Sequence, residues 1–211
     1  MLTATDAAAG TDTARATDTT RATDDIRSIA FCVPQADLDD LNARLARTRL
    51  PQPAPGDDWD YGTPGAYLRE MLDYWRDDFD WRAQEARIAA FPHFVTEIDG
   101  AQIHFVHVRS AEANATPIVL THAYPGSFVD FIDMIGPLTD PVAHDGRAED
   151  AFDVVIPSIP GFTLSGNTTE SGWTLKRVAR AWDTLMRRLG YGSTARTAAT
   201  RERSSRASLR S

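Results

Sequence analysis

The alternation of apolar and polar residues predicts a strand, a turn and a helix in the middle of the chain. Ile118–Leu120 is a short apolar run of the kind that forms a buried strand. Ser127 is a good helix N-cap, and Gly136 stands where glycine commonly ends a helix. The apolar residues between them follow the i, i+3, i+4, i+7 spacing of one helix face: Phe128, Phe131, Ile132 and Ile135.

The turn between this strand and helix carries the residues with the clearest chemical interest. His122 stands where the strand ends, and Tyr124-Pro125-Gly126 forces a sharp turn, because proline fixes φ and glycine tolerates positive φ. In open α/β sheets ligands bind at the carboxyl ends of strands, and free N–H groups there can stabilise an oxyanion. The pattern alone leaves an ordinary βα turn open as the alternative.

Three helices are predicted before this unit. The first runs from Pro34 to about Arg47, and the third starts at Asp80. The second is expected to be capped by Thr63, and its apolar stripe consists of Tyr67, Leu68, Met71, Leu72 and Trp75. Core or domain packing, rather than ligand contact, is the expected role of the tryptophans in this region: Trp59, Trp75 and Trp81.

The remaining apolar segments predict a hairpin, another strand and a long helix. Asp99-Gly100 is a strong two-residue turn signal within residues 91–108. His104 and His107 lie in the second strand of this hairpin, where surface or cross-strand roles are expected instead of a metal site. Residues 152–157 form the next strand. The last helix starts after Thr174 and ends at Gly190, with Leu175, Val178, Trp182, Leu185, Met186 and Leu189 as its apolar stripe.

Composition and charge narrow the class of protein. The 211 residues suffice for one domain with a sizeable core. A net charge of -8 argues against nucleic acid and anionic membranes as partners. Cys32 is the only cysteine, which excludes an internal disulfide and is compatible with the reducing cytoplasm. No apolar run is long enough to span a membrane, and no secretory signal is recognised. A cytoplasmic location is therefore expected.

Both ends of the chain differ in composition from the rest. Residues 1–27 are mainly Thr, Ala, Asp and Arg, so they bury too little apolar surface to offset the entropy of ordering, and disorder is expected. Residues 192–211 contain five arginines and one acid, Glu202, and show no strand pattern. We expect this basic Ser/Arg-rich tail to be disordered or translated out of frame.

Residues 29–191 resemble the microsomal-type epoxide hydrolases of the α/β-hydrolase family. His122-Ala123-Tyr124-Pro125 is similar to their H-G-x-P oxyanion turn. Their N-terminal extension is matched by Ala43-Arg44-Leu45, Arg49-Leu50-Pro51, Trp59, Tyr61-Gly62, Tyr74-Trp75 and Phe79-Asp80-Trp81-Arg82. Later matches are Phe91-Pro92-His93-Phe94, Asp99-Gly100, Ile103-His104-Phe105 and Pro157-Ser158-Ile159-Pro160-Gly161-Phe162 with Leu164 and Ser165.

The resemblance implies an α/β fold in which residues 28–92 form the epoxide hydrolase N-terminal extension and residues 93–191 the first half of an α/β-hydrolase sheet. The family hydrolyses small-molecule epoxides to vicinal diols through an aspartyl ester, without metal or organic cofactor. Its oxyanion-hole donor corresponds to the backbone N–H of Tyr124, with His122 and Pro125 shaping the turn. Ala123 replaces the usual glycine, so a positive φ there would be strained.

The catalytic groups that the family places later have no counterpart here. These are the aspartate nucleophile in a G-G-D-W-G turn, the lid tyrosines and the acid–His pair. No aspartate follows Asp183, so the chain is expected to be cut off before the nucleophile and inactive alone. No other nucleophile is expected, since no serine lies in a G-x-S-x-G turn and Cys32 has no neighbouring histidine; the serines considered are Ser127, Ser158 and Ser165.

Three other interpretations remain open. The chain could be a non-catalytic half-domain that pairs with another chain, or it could be an inert truncated gene product. The Ile118 strand would then lack a neighbour, and its exposed edge predicts self-association and poor solubility. Nucleic-acid binding by the arginine-rich tail is disfavoured, because the tail has no aromatic residues for base stacking.

Overall fold

A mixed sheet lies at the centre of the computed structural model, which describes residues 25–52, 55–56, 59–192 and 196–199. Its strands are β1 (Arg27–Ile29), β2 (His93–Ile98), β3 (Ala101–Val108), β4 (Thr116–Thr121), β5 (Phe152–Pro157) and β6 (Arg196–Ala199). The helices are α1 (Gln35–Leu45), α2 (Gly65–Asp77), α3 (Trp81–Ala89), α4 (Ile132–Thr139) and α5 (Leu175–Arg188). The predicted α/β class, with a helical N-terminal segment, is confirmed.

The strands are arranged in the order β1-β2-β3-β5-β4-β6. β2 and β3 form the predicted hairpin, and Asp99 and Gly100 have φ values of 55° and 74°, as a two-residue hairpin turn requires. β4 runs parallel to both β5 and β6, while β5 runs antiparallel to β3. Parallel neighbours need crossover connections, which α4 and α5 provide. The carboxyl ends of β4 and β5 therefore meet at one edge of the sheet.

Helices cover both faces of this sheet. α5 packs on one face, and α3 and α4 contribute to the core on the other. Successive strand residues point to opposite faces, so neighbours in sequence enter different cores. The pairs that divide in this way are Phe105–Val106, Val119–Leu120 and Val154–Val155. Burial on both faces explains why β4 and β5 are nearly continuous apolar runs.

Most helix ends agree with the predicted caps. The Asp80 side chain accepts the Ala83 N–H at 3.0 Å, and Gly190 ends α5 with a φ of 86°. The prediction for Thr63 is wrong, because α2 starts at Gly65 with Pro64 at the N-cap and no side-chain cap bond. The prediction that Leu175 belongs to the apolar stripe of α5 is also wrong, since Leu175 is 87% exposed.

The helix after β4 is longer than predicted. Residues 128–131 form a 3₁₀ turn, and α4 continues from there to Thr139. Gly136 therefore lies inside the helix and does not end it. A Cβ at this position would lie 3.1 Å from Nε2 of His144, so close packing, rather than chain termination, accounts for the glycine. The predicted apolar face is confirmed, with every member buried: Phe128, Phe131, Ile132 and Ile135.

The predicted bare edge at β4 is wrong. β6 pairs with β4 in parallel, with Ile118 opposite Arg196 and Thr121 opposite Ala199. Ladder hydrogen bonds use backbone groups, so a segment without an apolar pattern can still pair. The other predictions for the basic tail, and those for residues 1–24, lie outside the described residues. Arg27, placed in the segment predicted to be disordered, lies in β1.

The predicted apolar stripe of α2 is present, with Leu68 and Leu72 half-buried and its other three residues exposed. Tyr67, Met71 and Trp75 retain 44%, 46% and 47% of their accessible surface. Together with side chains from α1 and from the start of α3, α2 borders a groove of about 490 Å³. No helix among the described residues is long and apolar enough to cross a membrane.

Candidate active site

A tight turn follows β4 at the carboxyl edge of the sheet. The Gly126 N–H donates to the Ala123 carbonyl at 2.7 Å, and the Tyr124–Pro125 peptide between them is cis. These are the features of a type VI turn. Gly126 is required for space, because a Cβ there would overlap the Asp130 carboxylate. The strain expected at Ala123 is absent, since its φ is not positive.

His122 connects this turn to the loop after β5. Its side chain is 2% exposed, and Nε2 accepts the Ile159 N–H at 3.1 Å. Since Nε2 accepts, the ring proton is on Nδ1, which lies 3.3 Å from the Ala123 carbonyl oxygen. The imidazole thus bridges two loops at the same edge of the sheet, and the turn-shaping role expected for it stays a prediction.

Tyr124 lies in the turn at this edge of the sheet and is largely exposed. Its side chain is 71% exposed, and its ring meets that of Phe162 edge to face at 6.3 Å. Phe162 also contacts the His122 ring, with centroids 5.4 Å apart. In the described part of the chain, the Tyr124 N–H donates to no protein acceptor. An uncommitted N–H at this edge can donate to a ligand or an oxyanion.

The helix that follows is held against the turn by a capping box. The Ser127 hydroxyl accepts the Val129 N–H at 3.2 Å, and the Asp130 carboxylate accepts the Ser127 N–H at 3.2 Å. Ser127 and Asp130 are therefore occupied in capping the start of the 3₁₀ turn at residues 128–131. On the other side, Trp182 donates from Nε1 to the Thr121 hydroxyl at 3.1 Å, which fixes the last residue of β4.

A buried chain of hydrogen bonds connects the loop after β5 to β3, β2 and α3. Thr163 donates to the Ser158 hydroxyl at 2.7 Å, and this hydroxyl lies 2.9 Å from Nδ1 of His104. Nε2 of His104 lies 2.9 Å from Nδ1 of His93, whose Nε2 lies 3.1 Å from the Ile88 carbonyl oxygen. The sequence prediction foresaw a cross-strand role for His104 but missed its partners. A surface role is excluded, because His104 is 0% exposed.

Burial favours the neutral form of both imidazoles in this hydrogen-bonded network, those of His93 and His104. Desolvation lowers the pKa of His93, although the bond to the Ile88 carbonyl opposes the shift. Desolvation, with a smaller contribution from His93, lowers the pKa of His104 to about 3. Ser158 is 0% exposed and Ser165 3% exposed, and both have hydrogen-bond partners, so neither is placed as a surface nucleophile.

His107 belongs to a different cluster at the opposite edge. Its Nε2 lies 2.9 Å from the Tyr191 hydroxyl, which donates to Asp153 at 2.9 Å. Burial, with the nearby Arg109 charge, lowers the pKa of His107 to about 4. Asp153 stands at the start of β5, whereas the Tyr124 turn follows the end of β4, so the two groups are separated by the length of the sheet. Across the described residues, no cluster of three or more His, Cys, Asp or Glu could hold a metal ion.

A cleft of about 500 Å³ opens beside the turn, between the N-terminal segment and the sheet domain. Its wall is mainly aromatic and aliphatic, with an ion pair between Arg87 and Asp133. The residues that form it are Phe31, Phe79, Trp81, Gln84, Arg87, Ile88, Ser127, Phe128, Val129, Ile132, Asp133, Thr163 and Leu164. A small apolar molecule suits such a lining.

A protein-family model and several known proteins match the sequence of this chain. Residues 26–131 match the family model described as Epoxide hydrolase N terminus. A relative from Stigmatella aurantiaca (strain DW4/3-1), named as an epoxide hydrolase, is 49% identical over 166 residues, which are 79% of this chain and 38% of the relative. Epoxide hydrolase 1 of Oryctolagus cuniculus is 38% identical over 159 residues, which are 74% of this chain and 35% of that protein.

The solved structure of the Aspergillus niger epoxide hydrolase has the same fold over its matching part. It superposes with a TM-score of 0.73 and 33% identity, covering 84% of this chain and 46% of that chain. This chain spans little more than a third of the length of the curated relatives described above. The match over half of the sequence, together with these relatives, shows that the chain belongs to the epoxide hydrolase family, as a member that carries the epoxide hydrolase N-terminal region.

Proposed function

We propose that this chain supplies the oxyanion-hole side of an epoxide hydrolase site, with the Tyr124 N–H as the donor. The observation that carries this proposal is the uncommitted N–H on a turn at the carboxyl edge of the sheet, fixed by the bond between His122 and Ile159. Membership of the epoxide hydrolase family supports an epoxide as the substrate class.

The chemistry of the family defines what this donor would do. A carboxylate attacks an epoxide carbon, the C–O bond breaks, and an acid protonates the departing oxygen, which leaves a hydroxyalkyl ester. A base-activated water then attacks the ester carbonyl. The resulting tetrahedral oxyanion accepts a hydrogen bond from the Tyr124 N–H, and its collapse releases the vicinal diol and regenerates the carboxylate.

The 211 residues by themselves are proposed to be inactive. No aspartate follows Asp183 in the sequence. Near the turn, the Asp130 carboxylate accepts the Ser127 N–H in the capping box, and the Asp133 carboxylate pairs with Arg87. A diol is formed only where a carboxylate nucleophile, an acid and a base-activated water are also present.

A graft tests the two parts of this proposal separately. Residues 26–191 replace the matching region of the Stigmatella aurantiaca relative, and diol formation from styrene oxide is measured for the graft and for the 211-residue chain. We expect turnover by the graft and none by the chain. Diol formation by the chain above the uncatalysed rate would contradict the proposed inactivity.

The donor itself is tested by an amide-to-ester exchange at Tyr124 in the graft, which removes the N–H and keeps the side chain. Loss of one oxyanion-hole donor lowers kcat by about 100- to 1000-fold. The same exchange at Tyr61, which is 74% exposed in the N-terminal segment, serves as the control. An unchanged kcat at Tyr124 would rule out this N–H as the donor.

A further inference from the structure

We propose that Thr163, Ser158, His104 and His93 form a positioning network that ties the N-terminal segment to the Tyr124 turn. The network holds the loop of residues 158–166, and this loop holds His122. The importance of the network for catalysis rests on the proposed function above. The effect of the network on the loop does not depend on that function, so an experiment can contradict one claim and leave the other intact.

The donor and acceptor roles along the network are fixed by its ends. The Ile88 carbonyl can only accept, so Nε2 of His93 donates to it. Neutral His93 then accepts at Nδ1 from Nε2 of His104. His104 accepts at Nδ1 from the Ser158 hydroxyl, which in turn accepts from Thr163. Each hydrogen has one acceptor, and a single tautomer of each imidazole satisfies the whole chain.

Two further contacts secure the middle of the network. Ser165 donates to the Ser158 carbonyl at 2.7 Å and accepts the His104 N–H at 3.0 Å. The Ser158 N–H donates to the His104 carbonyl at 2.8 Å. Ser158 is therefore held to β3 through both its backbone and its side chain. A buried network in which every member is satisfied makes its geometry rigid.

Thr163 shows that this loop is held in a defined conformation. Its φ is 46°, which is a rare backbone conformation for a β-branched residue. The hydroxyl bond to Ser158 spans five residues and holds the chain in this conformation. Backbone outliers of this kind persist only where the surroundings determine them, and they concentrate at functional sites. Thr163 also lines the cleft beside the turn.

Residues of this loop contact the candidate site directly. Ile159, next to Ser158, donates its N–H to Nε2 of His122. Phe162, next to Thr163, packs against the rings of both His122 and Tyr124. At the other end of the network, Ile88 belongs to α3 of the N-terminal segment. The N-terminal segment thus supports the oxyanion turn without supplying a group to it.

Amide hydrogen exchange of the 211-residue chain tests the network without any need for activity. In Thr163→Val, which removes the hydroxyl at nearly constant volume, we expect the Ile159 N–H to exchange about tenfold faster, as for loss of one hydrogen bond. The core amide of Phe105 is the internal reference and should change little. Thr163→Ser, which restores the hydroxyl, should return Ile159 exchange to the wild-type rate. The matched control is Thr139→Val, which removes a hydroxyl bonded to the Ile135 carbonyl in α4.

Two outcomes would overturn the proposal. One is unchanged Ile159 exchange in Thr163→Val. The other is restored protection in Thr163→Gly, which relieves the positive φ but lacks the hydroxyl. The nitrogen chemical shift of His122 Nε2 gives a second readout, because it changes when the hydrogen bond from the Ile159 N–H is lost. If these loop measurements behave as expected but the Tyr124 ester exchange leaves kcat unchanged in the graft, the network stands and the proposed function fails.

Discussion

Nδ1 of His93 lies 2.9 Å from Nε2 of His104, and the two rings stack with their centroids 5.2 Å apart. They come from the two strands of one hairpin, and both side chains are buried. Two positive charges at this distance, removed from water, would repel each other strongly. Burial also disfavours the charged form of each ring by itself, so the fold is expected to be sensitive to acid.

Acid should destabilise the chain in a defined pH range. Histidine in an unfolded chain titrates near pH 6.5, whereas the folded pKa of His104 is about 3 and that of His93 is also lowered. Between these values the unfolded state binds more protons, so the free energy of unfolding falls as the pH falls from about 6.5 toward 3. His104 contributes up to about 1.4 kcal/mol per pH unit in this range, and the lowered pKa of His93 acts in the same direction. Urea unfolding at several pH values measures the slope.

Two variants separate this pair from other acid effects. His104→Asn should reduce the slope between about pH 6.5 and 4, because one of the three histidines with a lowered pKa is removed while His107 keeps its contribution. Val106→Ala, a buried change in the same hairpin that removes no ionisable group, should lower stability but keep the slope of the wild type. Equal slopes in wild type and His104→Asn would contradict the assignment of the acid sensitivity to this pair.

Gly126→Ala should destabilise the turn after β4. The added Cβ would overlap the Asp130 carboxylate and lie 3.1 Å from the Ala123 carbonyl oxygen. Relief requires the Asp130 side chain to move and the capping box to open, and loss of a cap costs about 0.5–2 kcal/mol. Thermal unfolding followed by circular dichroism measures the loss. Gly65→Ala is the matched control, since nothing lies within 4 Å of its added Cβ, and a comparable loss there would count against the proposed clash.

Local signals in the sequence were sufficient for the elements that local chemistry determines. Asp99-Gly100 predicted the hairpin turn, in which both residues have positive φ, and Asp80 and Thr174 marked helix starts that their side chains cap. The turn also fixes the register, which sets Val95 opposite His104 and Val106 opposite His93. His93 and His104 are therefore diagonal neighbours on one face. Extending this register from the turn along both strands would therefore have predicted the contact between His93 and His104.

Features that depend on tertiary contacts could not be predicted in this way. β6 consists of Arg-Thr-Ala-Ala, which has no strand pattern, and it is defined by backbone pairing with β4. Gly136 is of a residue type that commonly ends helices, but α4 continues through this position, where His144 packs against the glycine. At the candidate site, Tyr124, His122 and Pro125 were found through the similarity to a family turn. The support from Ser158 and Thr163 comes from a loop more than thirty residues away, which no periodicity reports.

Leu185→Ala should cost far more stability than the same change at Leu175. Both leucines belong to α5, but Leu185 is 0% exposed in the core and Leu175 is 87% exposed. Truncation of a fully buried leucine costs about 2–5 kcal/mol, because the transfer energy is lost and a cavity remains. Surface substitutions usually stay within about 0.5 kcal/mol. Denaturant unfolding of both variants measures the difference, and similar losses would show that α5 does not pack on the sheet as described.

Met71→Lys should reduce self-association of the chain. Met71 is 46% exposed on the apolar face of α2, in the groove lined by Leu41, Leu68, Met71, Leu72, Tyr74, Trp75, Phe79 and Trp81. Apolar patches of this kind promote association, and a lysine among the residues that line the groove would place a charge on any contact made there. Met134→Lys is the matched control, because Met134 is 44% exposed on α4, outside this groove. Sedimentation velocity over a range of concentrations should show a smaller associated fraction for Met71→Lys than for Met134→Lys, and equal fractions would place the self-association elsewhere on the molecule.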